Sequence, residues 1–284
     1  MYFISCKIIG GLGNQLFQIF CTMSYGIDYN KYLIFPITNP EKTQGKYNRD
    51  THWNDLLKEL QCYILSEEKY KKKRKILYNE TVYNFVKIPE YPEQSLEIYG
   101  YFQSEKYFKH NYEKICNILK IKDIKLQIYD KYKFYFNSKI NNISMHFRLG
   151  DYKAIQHYHP IMNDKYYIDA LTAILDKNQK YNILYFCESE DNEEIIKRIE
   201  IINGNFNNLT FIKISDDIQD WEQMIIMSLC NHNIIANSSF SWWGAYFNSR
   251  ENKIVCYPNY WFGDQNINTI DLCPPQWIKI DNSK

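Results

Sequence analysis

The feature that most constrains this chain is the rhythm of its second half. Short apolar runs of about six residues alternate with longer stretches of helical periodicity. The pattern predicts strands at 143–148, 182–187, 209–214, 233–236 and 253–257. Between and around them it predicts helices at 164–177, 191–202, 217–230 and 239–248, the third opened by a capping box from Asp216 to Gln219. Strands that alternate with helices form βαβ units around a parallel sheet. The first half opens in the same way, with a strand at 2–9, a helix at 14–30 and a strand at 32–35. It then turns irregular and polar. Strands are expected at 82–87 and 96–99, and helices at 104–119 and along the charged stretch 120–139. A chain of 284 residues accommodates two such units of ~140 residues each. The expected architecture is therefore α/β, with lobes 1–140 and 141–284 facing each other across a cleft.

Composition removes several functional classes. The formal net charge is +1, which argues against a general binder of nucleic acid or anionic membrane. No apolar run reaches the ~18 residues of a membrane span. The start carries neither a basic region nor a cleavage site, so a cytoplasmic protein is expected. The eight cysteines are scattered, with no C-x-x-C pair, and read as reduced thiols that form neither disulfides nor a zinc site. Lys71-Lys72-Lys73-Arg74-Lys75 reads as solvated surface. The 26 tyrosines fit an AT-rich codon bias or a sugar-binding surface.

In open α/β sheets ligands bind at the carboxyl ends of strands. Four places there carry chemistry. Gly10-Gly11-Leu12-Gly13-Asn14-Gln15 follows the first strand, where Gly11 and Gly13 let backbone approach a ligand and Asn14 and Gln15 can grip hydroxyls or phosphate oxygens. Leu16 stands where a dinucleotide fingerprint needs its third glycine, which disfavours an NAD-dependent oxidoreductase. His146-Phe147-Arg148-Leu149-Gly150-Asp151-Tyr152 puts His146 and Arg148 on one side of a strand end. The arginine offers a donor fork suited to a diphosphate, or a structural pair with Asp151. Asn237-Ser238-Ser239-Phe240 opens a helix, where hydroxyls and free N–H groups can hold an anion. Trp242 and Trp243, just beyond, read as core. In Glu188-Ser189-Glu190-Asp191 the pair Glu188-x-Glu190 mimics a metal-binding D-x-D, but acidic residues also favour the start of a helix.

Together these segments resemble the α1,2-fucosyltransferase family. The likeness runs from Ile9 to about Trp261. Its pieces are the Gly-Gly-Leu-Gly-Asn-Gln-Leu-Phe-Gln run at 10–18, Gly-Tyr-Phe-Gln-Ser at 100–104, His-Phe-Arg-Leu-Gly-Asp-Tyr at 146–152, Tyr166-Tyr167, and Ala-Asn-Ser-Ser-Phe-Ser-Trp-Trp-Gly-Ala at 236–245. The resemblance implies a GT-B fold of two Rossmann-like lobes, with the donor in the C-terminal lobe and the acceptor beside the N-terminal one. It implies inverting transfer of L-fucose from GDP-β-L-fucose to the 2-hydroxyl of a galactose-terminated glycan, with no metal. On that reading Arg148 and the Ser238/Ser239 helix start neutralise the diphosphate, His146 and Asn237 help hold the nucleotide, and Phe240 lines its pocket. Gly11, Gly13 and Gln15 meet the donor from the opposite side, and Asn14 closes that side near the reacting centre as a catalytic residue with Arg148 and Asp151. Asp151 is either the base or the group that orients Arg148. Tyr101, Gln103 and Tyr152 line the acceptor side. Glu188 falls where the family has the first Asp of Phe-Ser-Asp-Asp, and Glu222 lies near a second family Asp. Which of the two reads guanine stays open. Alternatives are fucosyl transfer to another position or acceptor, or a non-catalytic carbohydrate-binding protein on the same fold.

Overall fold

The computed structural model describes residues 2–37, 51–136, 139–263 and 266–283. The chain packs as two compact units, Met1–Ile124 with Asn268–Pro274, and Lys125–Ile267 with Pro275–Lys284. The division falls within the charged stretch 120–139. The returning segment is held by Asp271, whose carboxylate accepts the Phe85 N–H at 3.0 Å and Lys106 Nζ at 2.5 Å. The sequence reading places that segment in the second lobe.

The first unit holds β1 (Phe3–Cys6), α1 (Leu12–Asp28), β2 (Tyr32–Leu33), β3 (Phe35–Pro36), β4 (Ile64–Leu65), α2 (Glu67–Lys71), β5 (Ile76–Asn79), β6 (Leu96–Tyr99) and α3 (Tyr112–Ile118). Its main sheet runs β2-β1-β6-β5, all parallel. β3 and β4 pair separately. The strand expected at 82–87 is absent, and the helix expected at 104–119 begins as two 3₁₀ turns, at Glu105–Tyr107 and Lys109–Asn111. Ser104 caps the first turn by accepting the Lys106 N–H. The basic block is surface, with Lys71 and Lys72 exposed and paired at 2.6 Å with Glu67 and Glu68 one turn earlier.

α4 (Ile121–Tyr132) spans the division. The second unit then holds β7 (Asn141–His146), α5 (Asp164–Ile174), β8 (Tyr181–Phe186), α6 (Asn192–Asn203), β9 (Leu209–Lys213), α7 (Asp220–Leu229), β10 (His232–Ile234), α8 (Ser239–Tyr246), β11 (Val255–Pro258) and β12 (Ile278–Ile280). Its six-stranded sheet runs β12-β11-β10-β7-β8-β9, parallel throughout. Two details differ from expectation. β12 escaped the sequence reading, and α7 starts at Asp220 after Gln219, with no side-chain cap. Asp216 instead accepts from Lys213 Nζ and Asn192 Nδ2.

β7 is central and buried on both faces, and its residues alternate in kind. Ile143, Met145 and then Phe147 join the apolar core with Tyr166, Tyr167, Ala170 and Leu171 of α5. Asn142, Ser144 and His146 fall on the opposite phase of the strand, and all are buried. Asn233 of β10 donates to Ser144 Oγ at 2.7 Å and to the Met227 carbonyl at 2.8 Å. Asn182 of β8 donates to Asn142 Oδ1 at 3.3 Å. This polar row satisfies most of its groups internally, as burial demands. α5 presents Tyr166, Tyr167, Ala170, Leu171 and Ile174 on one face. The Tyr167 hydroxyl donates to the His146 carbonyl at 3.0 Å, tying α5 to the end of β7. Trp242 and Trp243 are both fully buried core residues.

Candidate active site

In the second unit, three neighbouring strands, β10, β7 and β8, end at the same edge, and each end carries one of the segments singled out in the sequence. Arg148 follows β7. Its side chain is only 16% exposed, yet its Nη2 donates to Asp151 Oδ1 at 2.6 Å and its Nη1 donates to Glu188, which follows β8. Burial would lower the guanidinium's proton affinity. The facing Tyr152, Asp151 and Glu188 outweigh it and keep the group firmly charged. Arg148 also lies over the Tyr152 ring, 5.2 Å from its centroid.

A second carboxylate of the acidic segment fixes the loop. Asp191 is wholly buried and accepts the Gly150 N–H at 2.8 Å and Lys153 Nζ at 2.7 Å. Gly150 has φ +34°, a conformation that suits glycine. Glu188, the first residue of the D-x-D-like pair, and Asp191, just beyond that pair, thus serve Arg148 and the Gly150 turn. Among the described residues, no three His, Cys, Asp or Glu side chains converge as metal ligands. Among the described residues, no cysteine is in a disulfide.

The Tyr152 hydroxyl donates to the Asn237 carbonyl at 3.1 Å, and the His146 ring lies 5.7 Å from that of Phe240. These contacts join the β7 segment to the start of α8. Ser238 caps α8, its Oγ accepting the Phe240 N–H at 3.3 Å, and Ser239 stands half-buried in the first turn. Asn237 is buried. Its amide donates to the carbonyls of Pro160 and Trp261, both at 3.0 Å, while its Oδ1 has no partner. Burial, with the Arg148 charge adding, lowers the His146 pKa to about 3, so the imidazole is neutral at physiological pH. Its Nδ1 is buried and unpartnered. His159 stacks on Tyr152 at 4.5 Å, and burial lowers its pKa to about 4. Sequence reasoning missed His159; it lies well beyond the motif and only the fold returns it to Tyr152.

Glu222 lies in the first turn of α7 and is buried. Its two oxygens accept Lys131 Nζ at 2.7 Å and the Tyr132 hydroxyl at 2.8 Å. It fastens the last turn of α4 to α7.

The first unit has its own cluster at the carboxyl ends of β1, β6 and β5. Gly11 precedes α1 as its N-cap, and no side chain caps it. Gly10 has φ +78°, and a Cβ there would fall 2.5 Å from Asn14 Nδ2. Asn14 is half-buried and accepts Gln103 Nε2 at 2.7 Å. The Tyr83 hydroxyl donates to Gln103 Oε1. Gly13 is buried. Gln15 departs from expectation. It is fully buried beneath the loop, its amide donating to the Gly10 carbonyl at 3.0 Å. Gln18 works in the same way, exchanging hydrogen bonds with the Ile9 N–H and carbonyl at 2.9 and 3.0 Å. Tyr101 is 41% exposed. Its N–H donates to Glu80, a residue the sequence did not single out.

Compared with known proteins, residues 49–281 match the model of glycosyl transferase family 11. The chain belongs to glycosyl transferase family 11. A family 11 relative, the α-1,2-colitosyltransferase of Escherichia coli, is 28% identical over 99% of this chain and all of its own length. A second, the O-antigen biosynthesis glycosyltransferase WbnK of Escherichia coli, is 30% identical over 64% of this chain and 60% of its own. Among solved structures, Escherichia coli ADP-heptose lipopolysaccharide heptosyltransferase II superposes with a TM-score of 0.51 at 10% identity, over 99% of this chain and 90% of that one. This likeness bears on the fold, which is α/β and GT-B-like, with a main parallel sheet in each unit. The family 11 chain is a glycosyltransferase. Among the described residues, no helix is long and apolar enough to cross a membrane.

Proposed function

We propose that this family 11 chain is a galactoside α1,2-fucosyltransferase that transfers L-fucose, with inversion, from GDP-β-L-fucose to the 2-hydroxyl of a galactose-terminated glycan. One observation carries the reading. The half-buried, charged Arg148 and the Ser238-capped start of α8 belong to one edge, joined by the Tyr152 ring that Arg148 overlies and by that residue's hydrogen bond to the Asn237 carbonyl. Such an edge suits a diphosphate leaving group, with a guanidinium fork and helix N–H groups serving as the electrophilic partners. No metal is assigned to this step. Asp151 either takes the acceptor proton or orients Arg148. Glu188 is the better placed of the two acidic residues to meet a nucleotide, because its side chain is partly exposed beside Arg148, whereas Glu222 is buried and committed to Lys131 and Tyr132. In this reading the second unit takes the donor, and Asn14, Tyr101 and Gln103 of the first serve the acceptor.

A second donor deserves testing on one ground: the relative that matches along the whole chain is an α-1,2-colitosyltransferase. Colitose is L-fucose without its 3-hydroxyl, so the two sugars differ by a single polar group. Purified protein would be incubated in EDTA with lactose and either GDP-fucose or GDP-colitose, and the product linkage read by NMR. An α1,2-fucosyl product supports the proposal. Transfer of colitose alone replaces the donor, and a strict requirement for added Mn²⁺ overturns the metal-free step.

A further inference from the structure

We propose that Glu80 is a positioning residue that clamps the loop Gly100–Gln103 and so sets the side chains presented to the acceptor; this rests on the acceptor-side reading of that loop. Glu80 directly follows β5, and the loop directly follows its neighbour β6. The Glu80 carboxylate accepts the Tyr101 N–H at 2.7 Å and the Phe102 N–H through both oxygens at 3.1 Å. The backbone it holds is unusual. Gly100 has φ +156°, and a Cβ there would lie 2.4 Å from the Glu80 Cβ, so the carboxylate arm passes where a side chain would be. Phe102 has φ +51°, a left-handed conformation that is strained for a bulky residue. Such strain persists only where surroundings over-determine it. Here the Phe102 ring is fully buried and meets Tyr107 edge-on at 5.3 Å, and Glu80 holds its N–H.

What the clamp delivers is Gln103. The residue after the strained position donates to Asn14 Oδ1 at 2.7 Å and accepts from Tyr83. The loop thereby reaches the loop after β1. Asn14, Gln103 and the exposed Tyr101 take their places from a backbone that Glu80 pins. A misplacement of about 1 Å at such a site is enough to cost about 10²-fold in rate.

The test compares the full-length protein with Glu80→Ala and Glu80→Gln, the latter keeping one acceptor oxygen. Amide hydrogen exchange of the 100–104 segment, GDP affinity by calorimetry, and transfer kinetics with varied galactoside are read together. For Glu80→Ala we expect exchange at least tenfold faster, the acceptor KM raised about tenfold or more, and GDP affinity within twofold of wild type; Glu80→Gln should fall between. Unchanged exchange overturns the clamp. Faster exchange with an unchanged acceptor KM, or an equal loss of GDP affinity, overturns the positioning role. Wild type that transfers from neither GDP-fucose nor GDP-colitose overturns the functional reading instead, and exchange still decides the clamp.

Discussion

Arg148 donates to Glu188 across neighbouring strands, although the arginine side chain is 16% exposed and the glutamate 46%. The carboxylate occupies the guanidinium edge that an incoming anion would use. Glu188→Gln should therefore bind inorganic pyrophosphate more tightly, by up to about fivefold, since a partly exposed pair is worth up to ~1 kcal/mol. Calorimetry with pyrophosphate and GDP in parallel checks this. Weaker pyrophosphate binding would show that Glu188 supports the anion site.

Arg148→Ala should lower transfer by about 10²–10³-fold, the scale for losing a donor to transition-state charge. Arg148→Lys should recover little, because an ammonium cannot span two acceptors as the planar fork does. Initial rates at saturating donor decide the matter, and undiminished turnover in Arg148→Ala removes the residue from the mechanism.

His146 links stability to pH. Its folded pKa is depressed to about 3 against an ordinary 6.5. Below pH 6.5 the unfolded chain takes a proton that the folded one refuses, so stability falls as pH drops from 6.5 toward 3. The slope from this one group is at most about 1.4 kcal/mol per pH unit. His159, lowered to about 4, acts in the same direction. Urea unfolding between pH 7.5 and 5 should show the decline, and His146→Asn should flatten it. An unchanged slope in that variant would refute the assignment.

Asp191→Ala strips the Gly150 N–H and Lys153 of a buried acceptor. An unsatisfied buried donor costs about 1–3 kcal/mol, and urea midpoints should register a loss of that size. Turnover should fall as well, because the Gly150 turn sets Asp151 and Arg148. Asp191→Asn keeps an oxygen for Gly150 and should lose less.

The second unit was legible because each strand and helix carried its own period. β7 betrayed both its faces, with Ile143 and Met145 toward the core and Asn142, Ser144 and His146 on the other. β12 was missed because Ile278-Lys279-Ile280 is too short for periodicity and earns strand geometry by pairing with β11. The expected strand at 82–87 has residues suited to a strand, but no neighbour pairs with it; instead Asp271 and the Tyr107 hydroxyl take the N–H groups of Phe85 and Val86. At the candidate site, residue types announced Arg148 and Ser238, while the orientation of Gln15 was invisible. A polar side chain after a glycine loop reads as ligand-facing, and only packing reveals that it turns inward to Gly10. Glu80, and the part Asp191 plays in its acidic segment, were hidden for a related reason: both act on backbone N–H groups, which every sequence has.

The return of Asn268–Pro274 to the first unit has a consequence for how the chain is made. Synthesis runs from the amino terminus, and domains that are continuous in sequence can finish on the ribosome one at a time. Here the earlier unit lacks Asp271 until the later unit has been translated as far as β11. Phe85 and Lys106 must wait for their acceptor while the later unit is already being threaded out. The first unit is completed only after β11 of the second has been made, so a nascent chain halted after α4 carries an unfinished piece.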